Sequence, residues 1–204
     1  MADVKPAYLL LAGGQSRRMG GGDKNLMMLG GETVLARVLS RINTGAPMPK
    51  PPTALNANGD PARYETYGLP VVADVIDGFA GPLAGVLTGL EWAQEQHPTC
   101  THIVSFATDA PFLPTDLAAK LMQAVEAGAD MAQAASQGRR HPVFAIWPIA
   151  VTGALRHALI EEGLRKIDDF TDRYNCAVVN FDEDPDPFMN LNRPEDFEEA
   201  MDRL

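Results

Sequence analysis

The chain has 204 residues, 46% of them hydrophobic, enough to bury a full core in one domain spanning residues 1–204. Its 17 basic against 27 acidic residues leave a net charge of −10, which argues against nucleic acid or an anionic membrane as partner, since both select a broad basic face. Cys100 and Cys176 stand alone, with no C-x-x-C pair and no His at ligand spacing. With a polar start over residues 1–6 and no long apolar run, they point away from zinc, secretion and membrane insertion and toward a cytoplasmic protein.

In chain order, the first feature is the apolar run Tyr8-Leu9-Leu10-Leu11, which stops at Ala12-Gly13-Gly14 and gives way to a loop with five glycines, Arg17, Arg18 and Lys24. Glycines let backbone N–H groups close on phosphate oxygens with no Cβ in the way, and the basic side chains supply charge against a polyanion. The pattern reads as a strand feeding an anion cradle; the plain alternative is a glycine-rich surface turn with incidental basic residues. Its spacing is neither G-x-G-x-x-G nor a Walker A loop, because no Gly-Lys-Ser/Thr follows.

Residues 26–29 form a short apolar run closed by Gly30-Gly31. Val34, Leu35, Val38, Leu39 and Ile42 then share one helical face, and the helix takes its cap at Glu32 or Thr33. Residues 45–52 carry four prolines, so a strand built on Ala54-Leu55 is expected to be shortened or at a sheet edge, because proline donates nothing to a ladder. Asn56-Ala57-Asn58 follows and, on residue type alone, is a turn. Val71-Val72-Ala73 leads into Asp74, a strand ending on a carboxylate. Residues 78–85 open a helix with Leu83, Val86, Leu87 and Leu90 on one face; Pro82 beside Gly81 suits its first turn, and a helix N-terminus at a strand's carboxyl edge is a ready anion site.

Residues 102–107 read as a buried strand running into Asp109, with Pro111 and Pro114 behind it. An Asp between strand and helix is usually an N-cap, but the helix carrying Leu117, Leu121, Ala124 and Val125 starts near Thr115, which leaves Asp109 for another task. Residues 131–135 and 143–147 are strands whose short connection, 136–142, makes them antiparallel and the sheet mixed. His141 within that connection is a ligand contact or an ordinary turn residue beside Pro142. Helices around 155–160 and 164–170, a strand at 177–181 and a terminal helix opened by Pro194 with Glu195 and Asp196 complete the chain. Asn190 and Asn192 precede that helix without helping to start it. Strands alternating with helices, with the informative residues at strand ends, indicate a doubly wound α/β domain whose site lies at the carboxyl edge of the sheet.

The stretch Leu11-Ala12-Gly13-Gly14-x-Ser16-Arg17-Arg18-Met19-Gly20-x-x-Asp23-Lys24 resembles the signature of the molybdenum cofactor guanylyltransferases, which join GMP from GTP to molybdopterin. The similarity continues at Asn56-x-Asn58, His141-Pro142 and Asn190-x-Asn192-x-Pro194-Glu195, and so spans almost the whole chain; the proline-rich 45–52 segment departs from the family's hydrophobic second strand. The resemblance implies a Rossmann-like nucleotidyltransferase fold, three-layer α/β/α with a mainly parallel mixed sheet. It implies that Leu11, Ala12, Gly13, Gly14, Lys24, Asn56, Asp74 and Gly81 hold the guanine nucleotide and that Asp109 takes Mg²⁺. It further implies that Arg18 and Lys24 stabilise departing pyrophosphate and that Asn190 and Asn192 face molybdopterin. The implied partners are GTP and Mo-molybdopterin as substrates, with transient contacts to other proteins of molybdenum cofactor biosynthesis or to recipient molybdoenzymes.

The side chains suit that chemistry on their own terms. No placed Ser, His and Asp mark a hydrolase, whereas an attacking phosphate, with its second pKa of about 6, is already ionised near neutral pH and needs no general base. Competing expectations are a molybdopterin cytidylyltransferase, a sugar-phosphate nucleotidyltransferase, from which Ala-Gly-Gly in place of Ala-Ala-Gly separates it, and a non-catalytic nucleotide-binding module. Retention of both Lys24 and Asp109 speaks against the last.

Overall fold

The computed structural model describes residues 4–12, 23–76, 78 and 81–204. In chain order it runs β1 (Pro6–Leu11), β2 (Met28–Leu29), β3 (Glu32–Thr33), α1 (Val34–Thr44), β4 (Thr53–Asn56), β5 (Val71–Val72), α2 (Pro82–Gln96), β6 (His102–Ala107), α3 (Leu117–Glu126), β7 (Met131–Ser136), β8 (Arg139–Pro148), α4 (Thr152–Ile160), α5 (Ile167–Thr171), β9 (Cys176–Asn180) and α6 (Pro194–Asp202), with short 3₁₀ turns at Lys24–Leu26, Pro61–Tyr67 and Ile149–Val151. Seven strands form one sheet in the order β5-β4-β1-β6-β8-β7-β9, and β2 pairs with β3 in a separate hairpin. Among the described residues β8 is the one strand of the main sheet that runs against its neighbours, so the carboxyl ends of β1, β4, β5 and β6 share an edge.

Side-chain alternation along the strands builds the layers. Tyr8 and Leu10 of β1, with Val104 and Phe106 of β6, pack on the face covered by α1 and α3. Ala7, Leu9, Ile103 and Trp147 pack on the other face, under α2, α4 and α5. A smaller cluster of Leu29, Val34, Leu191 and Ala200 ties the β2–β3 hairpin and α6 to the edge. Thr33 caps α1 by accepting the Ala36 N–H at 3.1 Å, one of the two candidates for that position.

One expectation is met in its first form and one needs correction. The strand after the prolines is short, as expected, but lies inside the sheet between β5 and β1. Pro52 is tolerated because the ladder takes its carbonyl, which accepts from Tyr8 N at 2.7 Å, and asks for no donor. The 136–142 connection shrinks to Gln137-Gly138, whose φ values of 48° and 73° make a two-residue hairpin of the kind whose twist matches its strands. His141 is accordingly a strand residue.

Candidate active site

At the end of β4, Asn56 is 3% exposed and its side chain is committed to protein partners. Asn56 Nδ2 donates to the Val72 carbonyl at 3.1 Å and to Asp74 Oδ1 at 2.9 Å. Asn58 completes a clasp: its Nδ2 donates to Asp74 Oδ2 at 2.8 Å and its Oδ1 accepts from Asp74 N at 2.9 Å. Asp74 is thus held through both carboxylate oxygens and its amide, and keeps further acceptor capacity for a ligand donor. The next amide, Val75 N, donates to Thr88 Oγ1 at 3.0 Å, which anchors the strand end to α2.

The β1 terminus is fixed beside this clasp. Ala12 N donates to the Asn56 carbonyl at 2.9 Å, and the Leu11 carbonyl accepts from Thr108 Oγ1 at 3.1 Å. Helix α2 comes close only because position 85 is glycine: a Cβ there would sit 2.3 Å from Asn56 Oδ1 and 2.7 Å from Leu11 Cδ2. Gly81, just before Pro82, is the N-cap of this helix, and it is exposed at the same edge.

Asp109 lies two residues beyond β6, well before Asp116, the N-cap of α3, so it has no capping task. Burial pushes its carboxyl above the ordinary carboxylate range, and the Lys24 charge pulls the other way with smaller weight. Its main-chain carbonyl accepts from Leu191 N at 2.9 Å, which seats the segment before α6 against it. Leu191 is fully buried while Asn190 and Asn192 on either side are exposed, the same-side disposition that extended backbone gives residues two apart. Lys24 Nζ donates to Asn192 Oδ1 at 2.7 Å, and Asp196 Oδ2 holds Asn192 N at 2.6 Å and Arg193 N at 2.7 Å. Lys24, Asp109 and Asn192 therefore meet at one edge although 168 positions separate the first from the last.

Asp109 is an oxygen donor whose charged form burial disfavours, so a hard cation beside it is well matched. Among the described residues no group of three or more His, Cys, Asp or Glu is placed to hold a metal ion. A single carboxylate suits an open, oxygen-bound divalent cation and not a closed structural zinc site.

His141 faces neither a turn nor the edge residues above. Its Nε2 lies 2.7 Å from Ser136 Oγ, Ser136 Oγ donates to Asp186 Oδ1 at 2.8 Å, and the ring stacks on Phe188 at 4.6 Å. The serine hydrogen goes to Asp186, so Nε2 carries a hydrogen and donates to the serine. That is the reverse of a nucleophile–base pair, and Ser136 is 1% exposed. The network instead packs the strap after β9 onto the sheet. Burial pulls His141 below its ordinary value, against an upward pull from Asp186 and with a small further lowering from Arg139; burial does the same to His102, whose Nδ1 lies 2.8 Å from Thr101 Oγ1. The unfolded chain therefore binds more protons than the folded one once pH falls below about 6.5, so stability held above that pH is lost on acidification. Melting temperature should drop between about pH 7 and about pH 5, and His102→Gln should lessen the drop; equal slopes for the two proteins would exclude His102 as a contributor.

Of the residues read from sequence, Leu11, Ala12, Lys24, Asn56, Asp74, Gly81, Asp109, Asn190 and Asn192 gather at the carboxyl edge, while Gly13, Gly14, Arg17 and Arg18 lie outside the described residues. Sequence reasoning missed Asn58, Gly85 and Thr88 as parts of the site. Asn58 carried a usable signal, its i, i+2 spacing from Asn56.

Residues 8–175 match the MobA-like NTP transferase domain. Among curated relatives, a molybdenum cofactor guanylyltransferase of Rhodopseudomonas palustris (strain HaA2) is 50% identical over 203 residues, covering 98% of this chain and 93% of its own length. Among solved structures, molybdopterin-guanine dinucleotide biosynthesis protein A from Archaeoglobus fulgidus aligns with a TM-score of 0.74 at 22% identity over 97% of both chains. The manganese complex of Rv0371c from Mycobacterium tuberculosis H37Rv aligns at 0.71 and 17% identity over 98% of this chain and all of that one. At these identities the two structures bear on the fold, which they share.

Proposed function

Because the chain belongs to the MobA-like NTP transferase family, we propose that it transfers GMP from GTP to the terminal phosphate of Mo-molybdopterin, forming the guanine dinucleotide and releasing pyrophosphate. The observation that carries this reading is the junction at the sheet edge, where the lysine closing the glycine-rich loop meets an asparagine before the last helix, next to a half-buried carboxylate.

In this reading a phosphate oxygen of molybdopterin attacks the α-phosphorus of GTP, the new P–O bond forms as the α–β bridge breaks, and pyrophosphate leaves with the bridging electrons. No side chain has to take a proton, so alignment and charge are what the protein contributes. Lys24 places an ammonium where the departing phosphates collect, and Arg18, from the same glycine-rich sequence, is assigned to the same charge by resemblance alone. The Asn56–Asn58–Asp74 clasp, with Leu11, Ala12, Gly13, Gly14 and Gly81, holds the nucleoside end. Asp109 would hold Mg²⁺, which when bound neutralises phosphate oxygens and polarises the phosphorus. One nucleotidyltransferase domain over residues 1–204 carries the activity. No helix among the described residues is long and apolar enough to cross a membrane. We place the reaction in the cytoplasm, where GTP and reducing conditions for the free thiols of Cys100 and Cys176 coincide, with upstream biosynthetic proteins and recipient molybdoenzymes as transient partners.

Pyrophosphate release from GTP, measured with and without molybdopterin, tests the reading. Acceptor-dependent release supports it; GTP binding with no release would identify a binding module.

The acceptor side gives a sharper prediction. Asn190 is exposed beside the Lys24–Asn192 contact, and an amide suits a hydrogen-bond-rich pterin better than a triphosphate. Asn190→Asp should raise the KM for molybdopterin by about tenfold, the effect of roughly 1.4 kcal/mol, and leave that for GTP near wild type. Asn192→Asp should weaken both, since its carboxylate would draw Lys24 away from phosphate. Initial rates with each substrate varied decide it: equal weakening of both ligands by Asn190→Asp would make position 190 a mere support of the fold.

A further inference from the structure

Arg63 lies in the 3₁₀ turn Pro61–Tyr67, between the Asn56-x-Asn58 strand end and β5. Its guanidinium reaches three separate acceptors. One nitrogen pairs with the Asp23 carboxylate, another donates to the Asn58 carbonyl at 2.7 Å, and Nε donates to the Asp60 carbonyl at 2.9 Å. The neighbouring Tyr64 is 1% exposed, lies under the Arg63 guanidinium at 5.3 Å, and accepts from Asn25 Nδ2 at 3.4 Å. Lys24 sits between Asp23 and Asn25, so consecutive residues of one turn grip both of its neighbours. The same guanidinium also grips Asn58, whose side chain clasps Asp74. A continuous chain of contacts thus runs from Lys24 to Asp74 through Arg63.

Resting on the guanylyltransferase reading, we propose that Arg63 is a positioning residue for GTP. It sets the separation between Lys24, at the triphosphate end, and the Asn58–Asp74 clasp, at the nucleoside end, and it neutralises Asp23 next to the phosphates. Only a rigid planar fork satisfies acceptors in different directions at once; an ammonium on a flexible stem keeps the charge and loses the geometry. Asp23 supplies the second half of the effect. Without its partner, this carboxylate is an unopposed negative charge one residue from Lys24, and it repels a polyanionic ligand. Partly exposed ion pairs add little to stability, so loss of this one should register in ligand affinity more than in folding.

GTP titration by calorimetry with Mg²⁺ and steady-state rates with molybdopterin test this on wild type, Arg63→Ala, Arg63→Lys and Arg63→Ala combined with Asp23→Asn, with melting temperatures alongside. Arg63→Ala should raise both the Kd and the KM for GTP about tenfold, a change worth roughly 1.4 kcal/mol, with a smaller change in kcat and in the KM for molybdopterin. Arg63→Lys should fall between wild type and Arg63→Ala. Adding Asp23→Asn to Arg63→Ala should recover much of the GTP affinity, a rescue that a purely structural arginine would not show. Wild-type GTP affinity in Arg63→Ala, or no recovery on adding Asp23→Asn, overturns the inference while leaving the guanylyltransferase reading standing. Failure of the wild-type protein itself to bind GTP overturns both.

Discussion

Asp109→Ala should abolish pyrophosphate release while the protein still folds. The side chain is a half-buried carboxylate at the sheet edge with no capping task, and its fixed contact to the strap runs through the main-chain carbonyl, which the substitution leaves in place. Because burial disfavours the ionised form, deleting the carboxylate removes a desolvated charge and should not cost the fold much. In this reading several kcal/mol of transition-state charge stabilisation go with the carboxylate, so a loss of about a thousandfold or more in rate is expected. Rates at saturating Mg²⁺, with a melting curve for the variant, decide the matter. Activity within about tenfold of wild type would remove Asp109 from the metal role.

Lys24→Ala should lower kcat/KM by about a hundredfold, the size expected when one charge on a departing phosphate is lost from a preorganised site. Lys24→Arg should lose less without reaching wild type, since a planar fork does not put its charge where an ammonium does. The contact with Asn192 adds a second test. If Lys24 couples the nucleotide and acceptor sides, the losses from Lys24→Ala and Asn192→Ala should not add in the double variant. Additive losses would mean that the two residues act independently, and normal turnover by Lys24→Ala would reduce it to a solvated loop charge.

The apolar run Tyr8–Leu11 is visible in the sequence as a strand, and the structure divides it between two helix layers, Ala7 and Leu9 on one face, Tyr8 and Leu10 on the other. Asp74 and Asp109 were legible for a related reason: a carboxylate directly after an apolar strand, with no helix close enough to be capped, has no local explanation. Other parts depend on residues far apart in the chain. The interior place of β4 follows from β5 pairing beyond it, and two valines after a 3₁₀ turn give no local sign of pairing outward. His141 reads in the sequence as a ligand contact or a turn residue because the tight Gln137-Gly138 hairpin is hidden by the basic pair that follows that hairpin; only the chain's return at Asp186 and Phe188 gives the ring its partners. Gly85 reads as an ordinary helix glycine until Asn56 and Leu11 are seen against it. Arg63 lies 40 residues from Asp23, and no spacing rule joins them.

Competition between GTP and CTP for wild-type protein, with molybdopterin as acceptor and the dinucleotide product identified by mass, tests the central claim most directly. The account predicts acceptor-dependent formation of the guanine dinucleotide, with CTP a poor donor even in excess. Cytosine dinucleotide as the main product, or hydrolysis of GTP with no dinucleotide formed, would contradict it.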